Sequence, residues 1–205
     1  MALTRSGPLT INPKAVALGL AQIRVGSAAS NISDAGSALA AAKSIGALAS
    51  TKFTGKTDYW KLESGFPLLE DYTLPIREAC SLECGFKEIS MANLALARGL
   101  DREDYDDYEE YSVANISLGG LVAPTFVRME AIYTFPDNQS QMVIIFPRAN
   151  VVSSMEIDMK AEDAAVVPIT FEAKRADSGV VGGDAAWNDM PLGTIIFLSG
   201  GDMVV

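Results

Sequence analysis

The sequence contains no histidine. Histidine is the commonest general base, a common metal ligand and the usual partner of a serine or cysteine nucleophile. Paired glycines occur at Gly119-Gly120 and Gly182-Gly183, but neither pair is followed by the Lys-Ser/Thr or the helix start of a phosphate-binding loop. We therefore predict no catalytic residue, no metal site and no cofactor, and we expect that the protein is not an enzyme.

Cysteine is scarce, since the chain has only Cys80 and Cys84. Residues four apart in a strand share a face but lie roughly 13 Å apart, which is too far for a disulfide. On a helix the same two residues could be neighbours. With no histidine and no third cysteine to complete a zinc site, two buried and reduced thiols are the favoured interpretation.

Positive charge is also in short supply, because 16 Lys and Arg face 26 Asp and Glu and the formal net charge is -10. A protein that grips nucleic acid needs Lys and Arg to replace the counterions of phosphate. The acidic run from Asp101 to Glu110 lacks the glycine and the spaced final Glu of a calcium loop. The charge therefore argues against specific nucleic-acid binding and suits a surface that repels phosphate.

No apolar run is long enough to span a bilayer. The longest run, from Ala38 to Ala49, is broken by Lys43, Ser44 and Gly46. The first five residues, Met-Ala-Leu-Thr-Arg, do not begin the basic and apolar regions of a signal peptide. We expect a protein that is made and folded in the cytoplasm and has no membrane partner.

The remaining composition suits one folded domain, residues 1–205, with 49% hydrophobic and 20% charged residues. Residues 1–13 contain three glycine or proline residues and few core-like ones, so they are predicted to form an extended N-terminal arm. Residues 27–50 are mostly Ala, Ser and Gly, which predicts a surface loop or a short helix. Loops of this length are uncommon in compact domains, so we expect this segment to lie at a subunit interface.

Alternation of polar and apolar residues predicts a mainly β fold. The predicted strands end the stretch 14–25 and cover residues 51–60, 71–86, 112–122, 126–135, 141–147, 151–160, 166–174 and 193–199. The turn sequence Pro136-Asp137-Asn138 predicts a hairpin between two of them. One short α-helix is predicted at about 90–98, with Ser90 as its N-cap and Gly99 after its end. The expected fold is an antiparallel β-sandwich or barrel with one helix and extended loops.

Two passages resemble the major tail tube proteins of long-tailed phages. In the first, from Ser81 to Gly99, an alternating strand leads into a short helix rich in Asn, Leu and Ala that closes with glycine. The second, from Met142 to Ala173, contains the strand close Pro147-Arg148-Ala149 and two alternating stretches, Met155 to Lys160 and Ile169 to Ala173. The similarity is one of pattern and lies in the C-terminal part of the chain.

The resemblance implies a β-sandwich-like or barrel-like subunit of the tail-tube type that forms hexameric rings stacked into the tail tube of a virion. Its implied partners are further copies of itself and the tape measure, terminator and distal tail proteins. DNA would pass through the lumen during ejection without specific binding. The same pattern fits a related tube, neck or tail-completion protein or a secretion-system inner tube. The alternative from another class is a capsid decoration or binding β domain.

A lumen with acidic walls would repel the phosphates of passing DNA. The candidate lumen-facing residues are Asp101, Glu103, Asp104, Asp106, Asp107, Glu109 and Glu110. The competing interpretation is a solvated loop on the outside of the protein, as charged runs usually are. The two tryptophans, Trp60 and Trp187, are predicted to be anchors of the core or of an interface.

Overall fold

The computed structural model describes residues 19–105, 115–118, 123–136, 140–152, 155–157, 159 and 163–198. The predicted N-terminal arm, 1–13, lies outside these residues. The strands are β1 Gln22–Ser27, β2 Leu48–Ser64, β3 Leu69–Phe86, β4 Val127–Thr134, β5 Gln141–Val151, β6 Val167–Ala173 and β7 Thr194–Leu198. The α-helices are α1 Ala28–Asn31 and α2 Met91–Ala97, and single 3-10 turns lie at Ala41–Lys43, Glu103–Tyr105 and Ala185–Trp187.

All seven strands belong to one antiparallel sheet with the order β1-β4-β5-β6-β3-β2, and β7 pairs with β5. Strand β5 serves two neighbours on one side, since Gln141–Ile145 pair with β7 and Ala149–Val151 pair with β6. The predicted mainly β fold is confirmed. Its strands are joined by hydrogen bonds into one sheet, so the described residues do not form the two separate sheets of a sandwich.

The main core lies on one face of this sheet. It includes Ile23 of β1, Phe86 of β3 and Phe171 of β6, none of which is exposed to solvent. Because three other strands separate β1 from β3 in the sheet, a shared core means that the sheet curls around it. A smaller cluster lies on the other face and surrounds Trp187, whose indole N–H donates to the backbone carbonyl of Ile32 at 2.6 Å. Trp187 is therefore a core anchor.

Helix α2 begins and ends as the sequence predicts. The Ser90 hydroxyl accepts a hydrogen bond from the backbone N–H of Asn93 at 3.2 Å, which satisfies a donor that the first helical turn leaves open. Gly99 follows the helix with a φ of +81°, a conformation that glycine adopts without strain. The expectation of a single α-helix needs one correction, because α1 adds a second helix of one turn.

The small-residue segment 27–50 is fastened to its own sheet by a buried ion pair. The side chains of Arg128 and Glu130 on β4 are both fully buried, and Arg128 Nε lies 2.8 Å from Glu130 Oε1. Glu130 accepts hydrogen bonds from residues 37–39 at 2.7 to 3.4 Å. Arg128 donates to three backbone carbonyls of the segment, those of Asn31, Asp34 and Gly36. Buried charges persist only when paired and hydrogen-bonded in this way. The contact of this segment with a neighbouring subunit stays a prediction.

Two predicted strands are not found where they were expected. Strand β5 ends at Val151, and residues 155–157 and 159 belong to no strand, so the predicted strand 151–160 is wrong for these residues. Met155 and Ile157 pack against the core without joining the sheet, so their alternation reflects burial alone. Of the predicted strand 112–122, residues 115–118 form no strand and the others lie outside the described residues.

In the described residues, no helix combines the length and apolar character needed to cross a membrane.

Candidate assembly surface

Strands β2 and β3 form a hairpin that extends well beyond the rest of the sheet. The two strands pair from Leu48↔Phe86 to Ser64↔Leu69, whereas β6 pairs with β3 only from Ser81 to Phe86. Every residue from Tyr59 to Glu78 is exposed, and we call this part the distal arm. At about 3.4 Å per residue, the ten residues 55–64 carry the hairpin roughly 30 Å away from β6. The chain thus sends a narrow two-stranded ribbon into solvent.

Near the sheet, the hairpin has an ordinary division between a core face and a solvent face. Leu82 is fully buried in the core, and its cross-strand partner Phe53 lies on the same face at the margin of the core, 37% exposed, with its ring 6.3 Å from that of Phe146. The next cross-strand pair, Lys52 and Glu83, points the other way and forms an exposed ion pair at 3.4 Å. This alternation is what one buried face of a strand requires.

In the distal arm the same division is reversed. Trp60 and Leu62 have even numbers, like Lys52 and Asp58, so they continue the charged face of β2 and not its core face. Their partners on β3 add to the same face, which is apolar apart from Ser64. This apolar face of the distal arm consists of Trp60, Leu62, Leu69, Tyr72 and Leu74, with exposures between 44% and 65%. The chain therefore places large apolar side chains where none of its own described residues covers them.

Toward the tip, the opposite face of the distal arm is polar and held by local contacts, whereas at its base the same face carries Tyr59, which is 56% exposed. The Lys61 ammonium donates a hydrogen bond to the Glu70 carboxylate, and the Thr73 hydroxyl donates to the same carboxylate. The hydrogen bond raises the pKa of Lys61, while those from Lys61 and Thr73 lower the pKa of Glu70. These groups are fully exposed, so the polar face suits water.

The tip of the distal arm is apolar as well. The turn between the strands begins at Gly65, whose φ of +85° favours glycine, and carries Phe66 and Leu68 in largely exposed positions. An isolated two-stranded hairpin is marginally stable in water, so an arm of this length gains stability when another surface covers it. Contiguous apolar patches of more than a few hundred Å² usually mark interaction sites. The distal arm therefore has the character of a docking surface.

The two cysteines differ in their environments. Cys84 faces the core and burial raises the pKa of its thiol to about 12, whereas Cys80 is only half-buried and its pKa is raised by burial and by Glu78. Both thiols are free. The prediction of reduced thiols is confirmed, and the prediction of burial holds for Cys84 but not fully for Cys80.

The structure describes three of the seven acidic residues that were predicted to face a lumen. Glu103 lies 3.4 Å from Lys43 Nζ and accepts from the Ser27 backbone N–H at 3.4 Å, so it ties two segments of the chain together. Asp101 accepts from the Glu103 backbone N–H at 3.0 Å, and Asp104 is exposed. The other four, Asp106, Asp107, Glu109 and Glu110, lie outside the described residues. Their position at a lumen stays a prediction.

Other site chemistries have little support in the described part of the chain. No group of three or more His, Cys, Asp or Glu residues there could hold a metal ion. A surface depression lies beside the start of α2, with Ser90, Met91 and Tyr105 in its lining. It also contains Arg102, which donates to the backbone carbonyls of Lys43 and Ser44. That arrangement positions a chain segment and offers no acid–base pair.

The apolar face of the distal arm was not predicted from the sequence. The predicted strands end at residue 60 and resume at residue 71, whereas the hairpin continues to Ser64 and resumes at Leu69. The missed signal is the alternation from Asp58 to Glu63. In this stretch apolar residues lie on the face of β2 that carries charged residues closer to the sheet. Trp60, expected as a core or interface anchor, is 49% exposed, so only the interface alternative remains open.

Most comparisons with known proteins find no match. No family model matches the chain, and no curated protein matches its sequence. Among solved structures, the fold resembles the tube-terminating cap of the anti-feeding prophage, determined by cryo-electron microscopy. That match has a TM-score of 0.39 and 10% sequence identity, and it covers 98% of this chain and 100% of the cap. A likeness this distant does not assign a function.

Proposed function

We propose that this protein is a structural subunit of a phage-type tail, which polymerises with copies of itself into stacked hexameric rings that form the tail tube. In this role it has no catalytic activity and needs no cofactor. It belongs to the virion after synthesis and folding in the host cytoplasm. It contacts tape measure, terminator and distal tail proteins, and DNA passes through its lumen without specific binding.

The observation that carries the proposal is the distal arm. Its apolar face and tip carry seven large apolar side chains that no described residue of the same chain covers: Trp60, Leu62, Phe66, Leu68, Leu69, Tyr72 and Leu74. Exposed apolar surface of this kind marks interaction sites, and a subunit of an assembly would use the arm to reach another subunit. The pattern shared with tail tube proteins, Ser81 to Gly99, supplies the type of assembly.

The sheet edges support the same proposal. In the described residues, β1 and β2 lie at the two ends of the sheet and β7 pairs only with β5, so each of the three leaves one edge without a strand partner. Open sheet edges attract further strands, and a ring hides them by continuing the sheet from one copy to the next. The net charge of -10 suits a conduit for DNA, because acidic walls repel phosphate.

The test is the assembly state of the purified chain, alone and together with the neighbouring tail proteins. We expect rings or tubes with a central hole in negative-stain electron microscopy, and a mass of several subunits by light scattering. A double variant, Trp60→Ser with Leu62→Ser, should lose the assemblies. The matched control Lys61→Gln, on the opposite face of the same strand, should keep them.

Two results would contradict the proposal. One is a protein that stays monomeric at high concentration and with its tail partners present. The other is a monomer or trimer that binds to assembled capsid shells, which is the behaviour of a decoration domain. If the Trp60→Ser, Leu62→Ser variant forms rings equally well, the proposed function stands, but the distal arm is not needed for assembly.

A further inference from the structure

Strand β7 carries a second exposed apolar surface, on the body of the protein. Ile195 and Phe197 point to the same side of β7, with exposures of 46% and 69%. The ring of Phe197 stacks on Phe135 at a centroid distance of 6.5 Å. We call these three residues the β7 margin. It is rigidly placed, because β7 pairs with the central strand β5 along its whole length from Thr194 to Leu198.

The edge of β7 differs in its charge from the edge formed by β2. Strand β2 carries Lys52, Lys56 and Lys61, and lysines on an edge strand discourage pairing with other chains. Strand β7, with the sequence Thr-Ile-Ile-Phe-Leu, has neither a charge nor a proline. A short apolar edge without such protection is a natural place for another chain to bind.

We propose that the β7 margin of one copy receives the distal arm of a second copy, with the apolar face of the arm packed on Ile195 and Phe197. This inference rests on the proposed self-assembly and names the receiving surface. The occupant is a second copy because self-assembly brings identical chains together, and their charge then limits where they can touch. Each copy has a net charge of -10, so two copies repel except where both surfaces lack charge. The apolar face of the arm and the β7 margin both meet that condition.

The apolar face of the arm supplies a large part of the area that an interface between whole subunits needs. The five side chains of the apolar face expose on the order of 500 Å², given the 150–250 Å² that each large aromatic residue can bury. A specific interface needs about 800 Å² from each partner. The exposed tip residues Phe66 and Leu68 add to the apolar area of the arm and bring it closer to that value. In the proposed contact the arm lies along β7, and its tip reaches beyond the end of that strand.

The contact joins unlike surfaces of identical chains. Two copies can exchange arms in a two-fold dimer, or each copy can pass its arm to the next one head to tail. The second arrangement gives closed rings or open filaments and is the one that the proposed tube requires. The arm does not cover the β7 margin of its own chain in the observed structure, because every residue from Tyr59 to Glu78 remains exposed.

Crosslinking between two differently tagged variants tests the inference. Leu62→Cys is mixed with Phe197→Cys, both in a Cys80→Ser background; Cys84 is left in place because its buried thiol, with a pKa of about 12, reacts poorly. A short bismaleimide should join the two variants into a mixed dimer. The Thr73→Cys variant, on the polar face of the arm, serves as control and should give at least tenfold less mixed dimer with Phe197→Cys.

The outcomes separate this inference from the proposed function. A ladder of products from the single chain that carries both Leu62→Cys and Phe197→Cys would support head-to-tail contact. Crosslinks of Leu62→Cys only to itself would overturn it in favour of arm–arm pairing. Rings seen by microscopy without the mixed crosslink would overturn the β7 margin alone. A protein that stays monomeric by light scattering and gives no crosslink would overturn both.

Discussion

The two halves of the β2–β3 hairpin place similar residues in opposite ways. Near the sheet, Phe53 and Leu82 turn inward to the core and the ion pair of Lys52 and Glu83 turns outward. In the distal arm, apolar side chains occupy the face that is charged nearer the sheet. A core that the chain builds by itself dictates the first pattern. The second pattern buries nothing within the described residues, and the proposed contact with a second copy would account for it.

The same contrast separates the ion pairs of the two regions. Arg128 and Glu130 are fully buried and hold the segment 27–50 through its backbone. Lys61 and Glu70 lie in water on the distal arm and hold only each other and Thr73. Removal of one buried partner leaves an uncompensated charge, whereas loss of an exposed partner costs little. The body and the arm should therefore respond very differently to substitution.

Phe171→Ala should give the largest loss of stability. Phe171 lies opposite Leu82 in the register of β6 and β3, where the hairpin leaves the sheet, and both residues are fully buried. Loss of a buried phenylalanine ring costs about 4 kcal/mol of the free energy of unfolding. Urea denaturation, at concentrations where the protein is monomeric, measures this loss.

Leu62→Ala provides the comparison in the distal arm. Because Leu62 is 45% exposed and contacts no core cluster, the free energy of unfolding should change by no more than about 0.5 kcal/mol. A loss of 2 kcal/mol or more, on the order of a buried leucine, would mean that the monomer already buries the arm.

Glu130→Ala should be the second largest change, with a loss of about 3 kcal/mol, because Arg128 would remain buried without its partner. Replacement of both residues, Arg128→Met with Glu130→Leu, removes the buried charge and should recover part of that loss. The carbonyls of the segment 27–50 would still lack their donor, so recovery should be incomplete. Thermal unfolding of the three proteins compares them. Equal stability of Glu130→Ala and the unsubstituted protein would show that water reaches the pair.

The sequence predicted the body better than the arm. Helix α2 was predictable because its signals are local, with Ser90 at one end and Gly99 at the other. Strand β6 was predictable because one buried face imposes alternation, whereas β4 and β5 are buried on both faces and were marked by their runs of apolar residues. The strand 151–160 was wrong because Met155 and Ile157 alternate in burial without a strand partner. Alternation records which side chains are covered, and hydrogen bonding between strands depends on residues far away in sequence.

The distal arm could not be identified as an arm from the sequence for a related reason. Its residues from Thr57 to Leu62 alternate as in any half-buried strand, and the pattern does not state which surface does the burying. The anchoring of the segment 27–50 was hidden as well. It depends on Arg128 and Glu130, which lie about a hundred positions later and have the appearance of surface charges on a strand.

Ser90→Ala should cost about 1 kcal/mol of the free energy of unfolding, because the backbone N–H of Asn93 loses its acceptor at the start of α2. Ser90→Asp, which keeps an acceptor at the same place, should retain most of the stability. The matched control is Ser64→Ala, since the Ser64 hydroxyl donates to Asp71 at the end of the distal arm. It should leave the urea midpoint unchanged. A shift equal to that of Ser90→Ala would place the arm in the same cooperative unit as the body.

The smallest effect should come from Lys61→Gln, and it should be local. Hydrogen bonds from Lys61 and Thr73 hold the pKa of Glu70 below its ordinary value of 4.5. A carboxyl with a lowered pKa favours the folded arm above its ordinary pKa and loses that contribution as the pH falls through the lowered value. Lys61→Gln should therefore raise the pKa of Glu70 toward 4.5, as measured by the NMR titration of its side-chain carbonyl carbon.

The pH dependence of global unfolding should be the same for Lys61→Gln and the unsubstituted protein between pH 3 and pH 6, because both groups are fully exposed and the salt bridge belongs to the arm alone. In the assembled protein the result should stay the same if the polar face remains in water. A larger pKa shift of Glu70 on assembly would instead show that a neighbouring copy covers this face too. Both faces of the arm would then be in contact with other copies.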